Sequence, residues 1–305
     1  MSSAPVPLTT PAPRNAEAFN ILVATAGDDE SAGAVRAASL LARRMDGDVE
    51  VLTVVTPLPT ALPTGLMMAT AAEADEESRK TAIALVHAQL RDIRGAARWP
   101  VHAAVGWPVD SIVEAARRWQ ASLVVMGVGE HSARARLFGS ETAIGVAKHT
   151  GTPILAIPAG FVRAPVNAFA AIDFTPSSID AARLAARLMP PTGSVTLVHA
   201  SIFAKPSPEV GSVMDLYATG ARDRLAAVAE QIAHDTHRRV TTLLADDKVA
   251  DVLMSVADEQ KGDLIALGSQ ERGLIDRVLL GSVRTRVLRH TVCPVLIVPH
   301  AERAE

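Results

Sequence analysis

Two stretches far apart in the chain repeat one another. LVVMG, Leu123 to Gly127, is echoed by LIALG, Leu264 to Gly268, and KHTGTPILAIP, Lys148 to Pro158, is echoed by RHTVCPVLIVP, Arg289 to Pro299, in a single register. Two echoes of matching type at one spacing mark an internal duplication whose period is far too long for a solenoid. Each copy has the length of a domain with its own core, so the sequence predicts two similar domains and not a stack of small units. The 305 residues, 49% of them hydrophobic, supply enough apolar material for two cores.

Within a copy, short apolar runs alternate with helical patterns. In the first, FNILVAT (Phe19 to Thr25), VEVLTVV (Val49 to Val55), VHAAV (Val101 to Val105), LVVMG and PILAIP read as strands. Ser31 to Met45 places Ala34, Ala38, Leu41 and Ala42 on one face of a helix that Asp46-Gly47 stops. After the prolines between Pro57 and Pro63, a long amphipathic helix is expected from about Ala71 to Arg94 on Ile83, Val86, His87 and Leu90. Asp110 or a neighbour is expected to cap a helix running to Trp119, and Gly139 to His149 forms a short helix.

The second copy follows the same order. Its strands are FAAID (Phe169 to Asp173), SVTLVHA (Ser194 to Ala200), VTTLLA (Val240 to Ala245), DLIALG (Asp263 to Gly268) and PVLIVP, with helices from Ser177, about Val213, Val249 and Gly281. Continuous apolar strands alternating with helices predict a parallel sheet buried on both faces, hence two tandem doubly wound α/β domains of five strands each. The expected boundaries are an N-terminal extension 1–18, a first domain 19–158, a linker 159–167, a second domain 168–300 and a tail 301–305.

Composition narrows the partners. A net charge of −3 gives no general electrostatic reason to bind nucleic acid or an acidic membrane, and aromatic residues at 3% are too sparse for base-stacking platforms. No stretch approaches the length of a membrane span. The single cysteine, Cys293, excludes an internal disulfide and multi-cysteine metal sites, so a reducing compartment, the cytoplasm, is expected. No catalytic residue and no metal ligand set is expected.

With GSVRTRVLRHTVCPVLIVP and the preceding glycine loop in view, the chain resembles a tandem member of the universal stress protein family, over about Phe19 to Pro299. The C-terminal copy carries the more specific match, in AAIDFTPSS, LVHA, DLIALGS and LLGSVRTRVLRHTVCPVLIVP. The resemblance implies a strand order of 3-2-1-4-5, with ligands bound beyond the strand ends where that order reverses. It implies a non-enzymatic stress-response or regulatory protein, the two copies pairing through their fifth strands as antiparallel edges, further homodimerisation and a regulatory protein partner.

ATP-binding members of the family carry G-x-x-G, nine residues, then G-S or G-T, which lets backbone N–H groups and a helix N-terminus meet phosphate. Residue by residue, Gly268 matches the first glycine, Gly281, Ser282 and Val283 match the closing segment, and Asp173 matches the carboxylate near the nucleoside. Glu271 stands where the second glycine belongs. Two negative charges about 4 Å apart repel by roughly 4 kcal/mol at an effective dielectric of 20, unless Arg272, Arg277 or Arg284 turns inward. In the first copy Glu130 holds the same place, Ala26 replaces the carboxylate, and the spacing to Gly139-Ser140 is one residue short. The expectation is weak or absent ATP binding in the second domain and a lost site in the first; the competing readings are a slow ATPase and a pocket for an uncharged or cationic small ligand that Glu130 and Glu271 tolerate.

Other residues have plainer roles. His149 and His290 suit helix C-termini, His199 a core or pocket wall, Cys293 a buried apolar place, and Asp246 and Asp247 a solvated loop. GVGEHS, Gly127 to Ser132, misses the dinucleotide fingerprint by its third glycine. Met67 and Met68 are expected in a small satellite core or over a pocket mouth.

Overall fold

The structure, a computed structural model, describes residues 18–57, 66–129, 139–161, 163–200, 211–245, 249–259, 263–269, 281–290 and 292–300; at 66–72, 211–217, 256–259, 281–284 and 290 it describes the backbone alone. Glu130, Asp246, Asp247, Glu271, Arg272 and Arg277 lie outside the described residues. The chain divides into two compact units, Met1–Val162 and Arg163–Glu305.

In the first domain β1 (Ile21–Ala24), α1 (Ala32–Met45), β2 (Val49–Val55), α2 (Leu66–Arg91), β3 (Val101–Val105), α3 (Pro108–Arg118), β4 (Leu123–Val128), α4 (Ser140–His149) and β5 (Ile154–Pro158) follow one another. All pairings are parallel and run β3-β2-β1-β4-β5. The second domain comprises β6 (Asn167–Ala171), α5 (Pro176–Leu188), β7 (Ser194–Ala200), α6 (Gly211–Thr236), β8 (Arg239–Ala245), α7 (Val249–Glu259), β9 (Leu264–Gly268), α8 (Gly281–His290) and β10 (Val295–Val298). Its pairings, again all parallel, run β8-β7-β6-β9-β10. In each domain the sheet order reverses between the first and fourth strands.

The cores follow from side-chain size. β1, β4 and β9 are buried almost end to end, as parallel strands covered by helices on both faces must be. The helix that follows the first strand is built of small residues on its buried face: Ala34, Ala37 and Ala38 in α1, and Ala181, Ala182, Ala185 and Ala186 in α5. Small side chains let these helices approach the sheet closely. α1 ends on Asp46, which takes a left-handed conformation at φ 49 and donates its N–H to the Ala42 carbonyl.

Four expectations need correction. Asp110 is not a cap: Trp107 is the N-cap residue of α3 and makes no side-chain cap bond, Pro108 opens the helix with its fixed φ, and Asp110 falls in the first turn, favourable to the dipole. α2 begins at Leu66, earlier than the start expected near Ala71, and takes in Met67 and Met68. β6 closes at Ala171, leaving Asp173 in the loop beyond it. β8 is not buried on both faces: Arg239, Thr241 and Thr242 are exposed. Among the described residues it pairs with β7 alone, and the Thr196 and Thr241 hydroxyls bond across that pair at 3.0 Å.

Candidate functional site

The carboxyl ends of β6 and β9 bring two of the expected residues together around one turn. The Ile172 N–H still donates to the Val198 carbonyl at 2.8 Å, after which the chain leaves the sheet. Asp173 Oδ1 accepts from the Thr175 backbone N–H at 3.0 Å and from the Thr175 hydroxyl, a side-chain turn that points the chain into α5. Thr175 caps that helix by accepting from the Ser178 N–H at 3.4 Å, and Pro176 occupies the first helical position. Asp173 itself is exposed.

Gly268 ends β9 against the same turn. A Cβ there would stand 2.4 Å from the Ser178 nitrogen and 2.6 Å from the Ser177 carbonyl carbon. The glycine is therefore required by the α5 N-terminus of the chain itself. In the first domain Gly127 plays the same part less tightly, its Cβ position lying 3.1 Å from Ser31 Cα. Gly281 opens α8, which puts Ser282 and Val283 in that helix's first turn. Asp173 and Gly268 thus meet through Ser178, while Gly281, Ser282 and Val283 are placed by the backbone of α8 alone.

The first domain solves the same junction differently. Ile21 lies opposite Leu123 in β4 and Ala168 opposite Leu264 in β9, so counting on from these pairs Ala26 matches Asp173 and Gly27 matches Phe174. The Thr25 hydroxyl, fully buried, bonds the Ser31 hydroxyl at 2.8 Å and donates to Gln89 Oε1 at 2.9 Å. Gln89 Nε2 donates to the Asp28 carbonyl at 2.5 Å, and Asp28 Oδ1 accepts from the Ser31 N–H at 2.9 Å. An amide from α2 has been drawn into the loop that follows β1. Nearby, Glu30 Oε2 is buried with no hydrogen-bond partner among the described residues, 2.8 Å from where a Cβ on Gly129 would lie.

Gly27 and Phe174 share a left-handed backbone, at φ 76 and φ 65. The Phe174 ring packs on His199, with centroids 4.7 Å apart, and the Arg224 guanidinium of α6 lies 4.2 Å above it. His199 Nδ1 donates to the Ile172 carbonyl at 2.7 Å, which fixes the imidazole at the end of β7. Of the remaining candidates, His149 caps α4 by donating from Nδ1 to the Gly145 carbonyl at 2.8 Å, and Cys293 is buried and in no disulfide. No group of three or more His, Cys, Asp or Glu placed to hold a metal ion occurs among the described residues, and none of their helices is long and apolar enough to cross a membrane.

The sequence model of the universal stress protein family matches residues 18–158 and again 168–299. The chain belongs to the universal stress protein family. A universal stress protein of Mycolicibacterium smegmatis is 25% identical to it over 93% of this chain and 98% of the relative. One from Mycobacterium tuberculosis is 26% identical over 62% of this chain and 68% of the relative. The crystal structure of a universal stress protein from Archaeoglobus fulgidus superposes with a TM-score of 0.59 at 17% identity, covering 93% of this chain and 97% of that one, a likeness of fold. As a tandem universal stress protein, the chain carries two copies of one domain whose strand-end loops have diverged.

Five residues of this region, Thr25, Ser31, Gln89, Phe174 and Arg224, were not marked by sequence reasoning. The one available signal was the contrast of Gly27 with Phe174 at matching places, which needs the strand register before it can be seen.

Proposed function

We propose that this universal stress protein is a non-enzymatic regulatory protein of the cytoplasm, whose second domain receives a small ligand of nucleotide type and whose output is a change in association with a protein partner or a second copy of itself. The observation that carries the reading is the difference between the two strand-end loops. In the first domain the loop's polar groups are taken up by Gln89, and Asp28 and Glu30 set carboxylates beside the crevice, an arrangement opposed to phosphate. In the second, Asp173 is exposed at the end of β6, beside the turn on which Gly268 packs, and Gly281-Ser282 opens α8 as the family's phosphate segment requires.

Glu271 limits how tightly a triphosphate would bind, so weak ATP binding by the second domain is the form this proposal takes. A carboxylate such as Asp173 accepts hydrogen bonds from ligand hydroxyl or amino groups, which suits the nucleoside end of a nucleotide. Titration of the full chain with ATP by calorimetry tests the reading. Binding at one site per chain, weakened about tenfold or more by Asp173→Ala, supports it; absence of heat at millimolar ATP with no ligand retained in native mass spectra rejects it. Phosphate release that follows the protein through purification and vanishes in the same variant would replace it with the ATPase reading.

A further inference from the structure

We propose that Phe174 is a positioning residue of the second domain's crevice: its ring holds α6 away from the loop between β6 and α5, so that this domain admits a ligand at the place that α2 closes in the first. The inference deepens the reading above and rests on it for the identity of the ligand, though not for the placement of the helix.

Both domains turn out of their first strand through a left-handed residue, Gly27 at φ 76 and Phe174 at φ 65. Glycine adopts that conformation without steric penalty, whereas a bulky side chain there is an outlier that its surroundings must hold in place. The fold accepts glycine at this point, as the first domain demonstrates. A phenylalanine in its stead is retained against the backbone's preference, and strained residues of this kind gather where a conformation is used.

The surroundings give the use. In the first domain there is no room for a side chain: a Cβ on Gly27 would lie 2.9 Å from the Val86 nitrogen and 3.1 Å from the Leu85 carbonyl carbon. The backbone of α2 therefore rests directly on the loop, which brings Gln89 within reach of Thr25 and Asp28. In the second domain the Cβ and ring are present, so the backbone of α6 cannot come as near. Instead α6 meets the loop through Arg224, whose guanidinium lies 4.2 Å from the ring centroid, while His199 supports the ring at 4.7 Å from a position locked by the Ile172 carbonyl. The ring is a spacer between loop and helix. It follows Asp173 directly in the chain, so the same turn that seats the ring also aims the carboxylate.

The test uses the full chain with Phe174→Gly and Phe174→Tyr. Glycine suits the left-handed backbone, so the first variant is expected to fold with a ligand-free melting midpoint within a few degrees of the parent's. Its crystal structure without ligand is expected to show the α6 backbone in van der Waals contact with residue 174, as α2 contacts Gly27; an unmoved α6 overturns the proposal whatever the protein binds. In calorimetry with ATP and AMP, Phe174→Gly is expected to weaken binding about tenfold and Phe174→Tyr to stay within about threefold of the parent. Equal affinity in Phe174→Gly and the parent, or equal loss in both variants, also overturns it. A parent that binds neither nucleotide removes the functional reading above, and the position of α6 in Phe174→Gly then decides this one alone.

Discussion

His102 on β3 donates from Nε2 to Glu50 Oε2 on β2 at 2.5 Å, and the His102 imidazole lies against the ring of Trp119, centroids 4.6 Å apart. The Glu50 side chain is only 7% exposed and that of His102 14%. A carboxylate so far from water depends on its partners. Removing the imidazole by His102→Ala takes one of them away and also strips a ring from Trp119. The expected loss is about 2–3 kcal/mol of unfolding free energy, read by urea denaturation of the full chain. Glu50→Leu, which removes the charge and keeps the volume apolar, is expected to cost much less; equal losses in the two variants would show that packing and not charge governs the site.

Asp263 closes the entry to the second domain. It is 8% exposed, and its Oδ2 accepts from the backbone N–H groups of Val166 at 3.1 Å and Asn167 at 2.8 Å, while Arg163 reaches Oδ1 at 3.3 Å. In the first domain Ser122 performs the matching task with one bond, accepting from the Asn20 N–H at 3.2 Å. Hydrogen bonds to a charged acceptor are worth about 1.5–3 kcal/mol, so Asp263→Ala is expected to lower stability by about 2–3 kcal/mol. The Arg163 side chain is 59% exposed, and Arg163→Ala is expected to change stability by less than about 0.5 kcal/mol. Chemical denaturation of both variants measures the difference.

Gly268 matches a phosphate motif and Gly127 is its counterpart in the first copy, and their surroundings assign both a prior structural duty. The Cβ that Gly268→Ala adds meets backbone of Ser177 and Ser178 at 2.4–2.6 Å, which only a shift of α5 could relieve, whereas Gly127→Ala meets Ser31 Cα at 3.1 Å. Overpacking of the first kind is expected to cost about 3 kcal/mol and of the second about 1 kcal/mol, in thermal or urea unfolding. A Gly268 variant that fails to bind nucleotide would therefore report on the fold, and Asp173→Ala is the cleaner probe of the crevice.

What the sequence made legible was whatever depends on local periodicity. β2, β3 and β7 run over the residues expected of them, because an apolar run bounded by turn residues leaves little freedom of register. The start of α2 was missed because the apolar Leu66-Met67-Met68 follows a run of prolines and reads as loop, and Asp110 was taken for a cap because a proline at the first helical position shifts the start three residues earlier. At the candidate site, Asp173 and Gly268 were visible as motif positions. Gln89 was not, since its role exists only once α2 is laid across the loop after β1. Nor was Phe174, because nothing in a phenylalanine announces a left-handed backbone.

The closure of the first domain's loop makes the last prediction. Gln89 contributes a donor to the Asp28 carbonyl and an acceptor to the buried Thr25 hydroxyl. Thr25 retains its bond to Ser31 when the amide is removed, so Gln89→Ala is expected to cost about 1–2 kcal/mol, roughly one net hydrogen bond per lost contact. Gly27→Ala should cost more, for two separate reasons. The left-handed conformation penalises a Cβ by about 1–2 kcal/mol, and that Cβ also approaches the Val86 nitrogen to 2.9 Å, so a total near 3 kcal/mol is expected. Urea denaturation of the two variants orders them, and a Gln89→Ala protein within about 0.5 kcal/mol of the parent would reduce the amide to a surface group. In that event the first domain's crevice would owe its closure to the backbone contact at Gly27 alone.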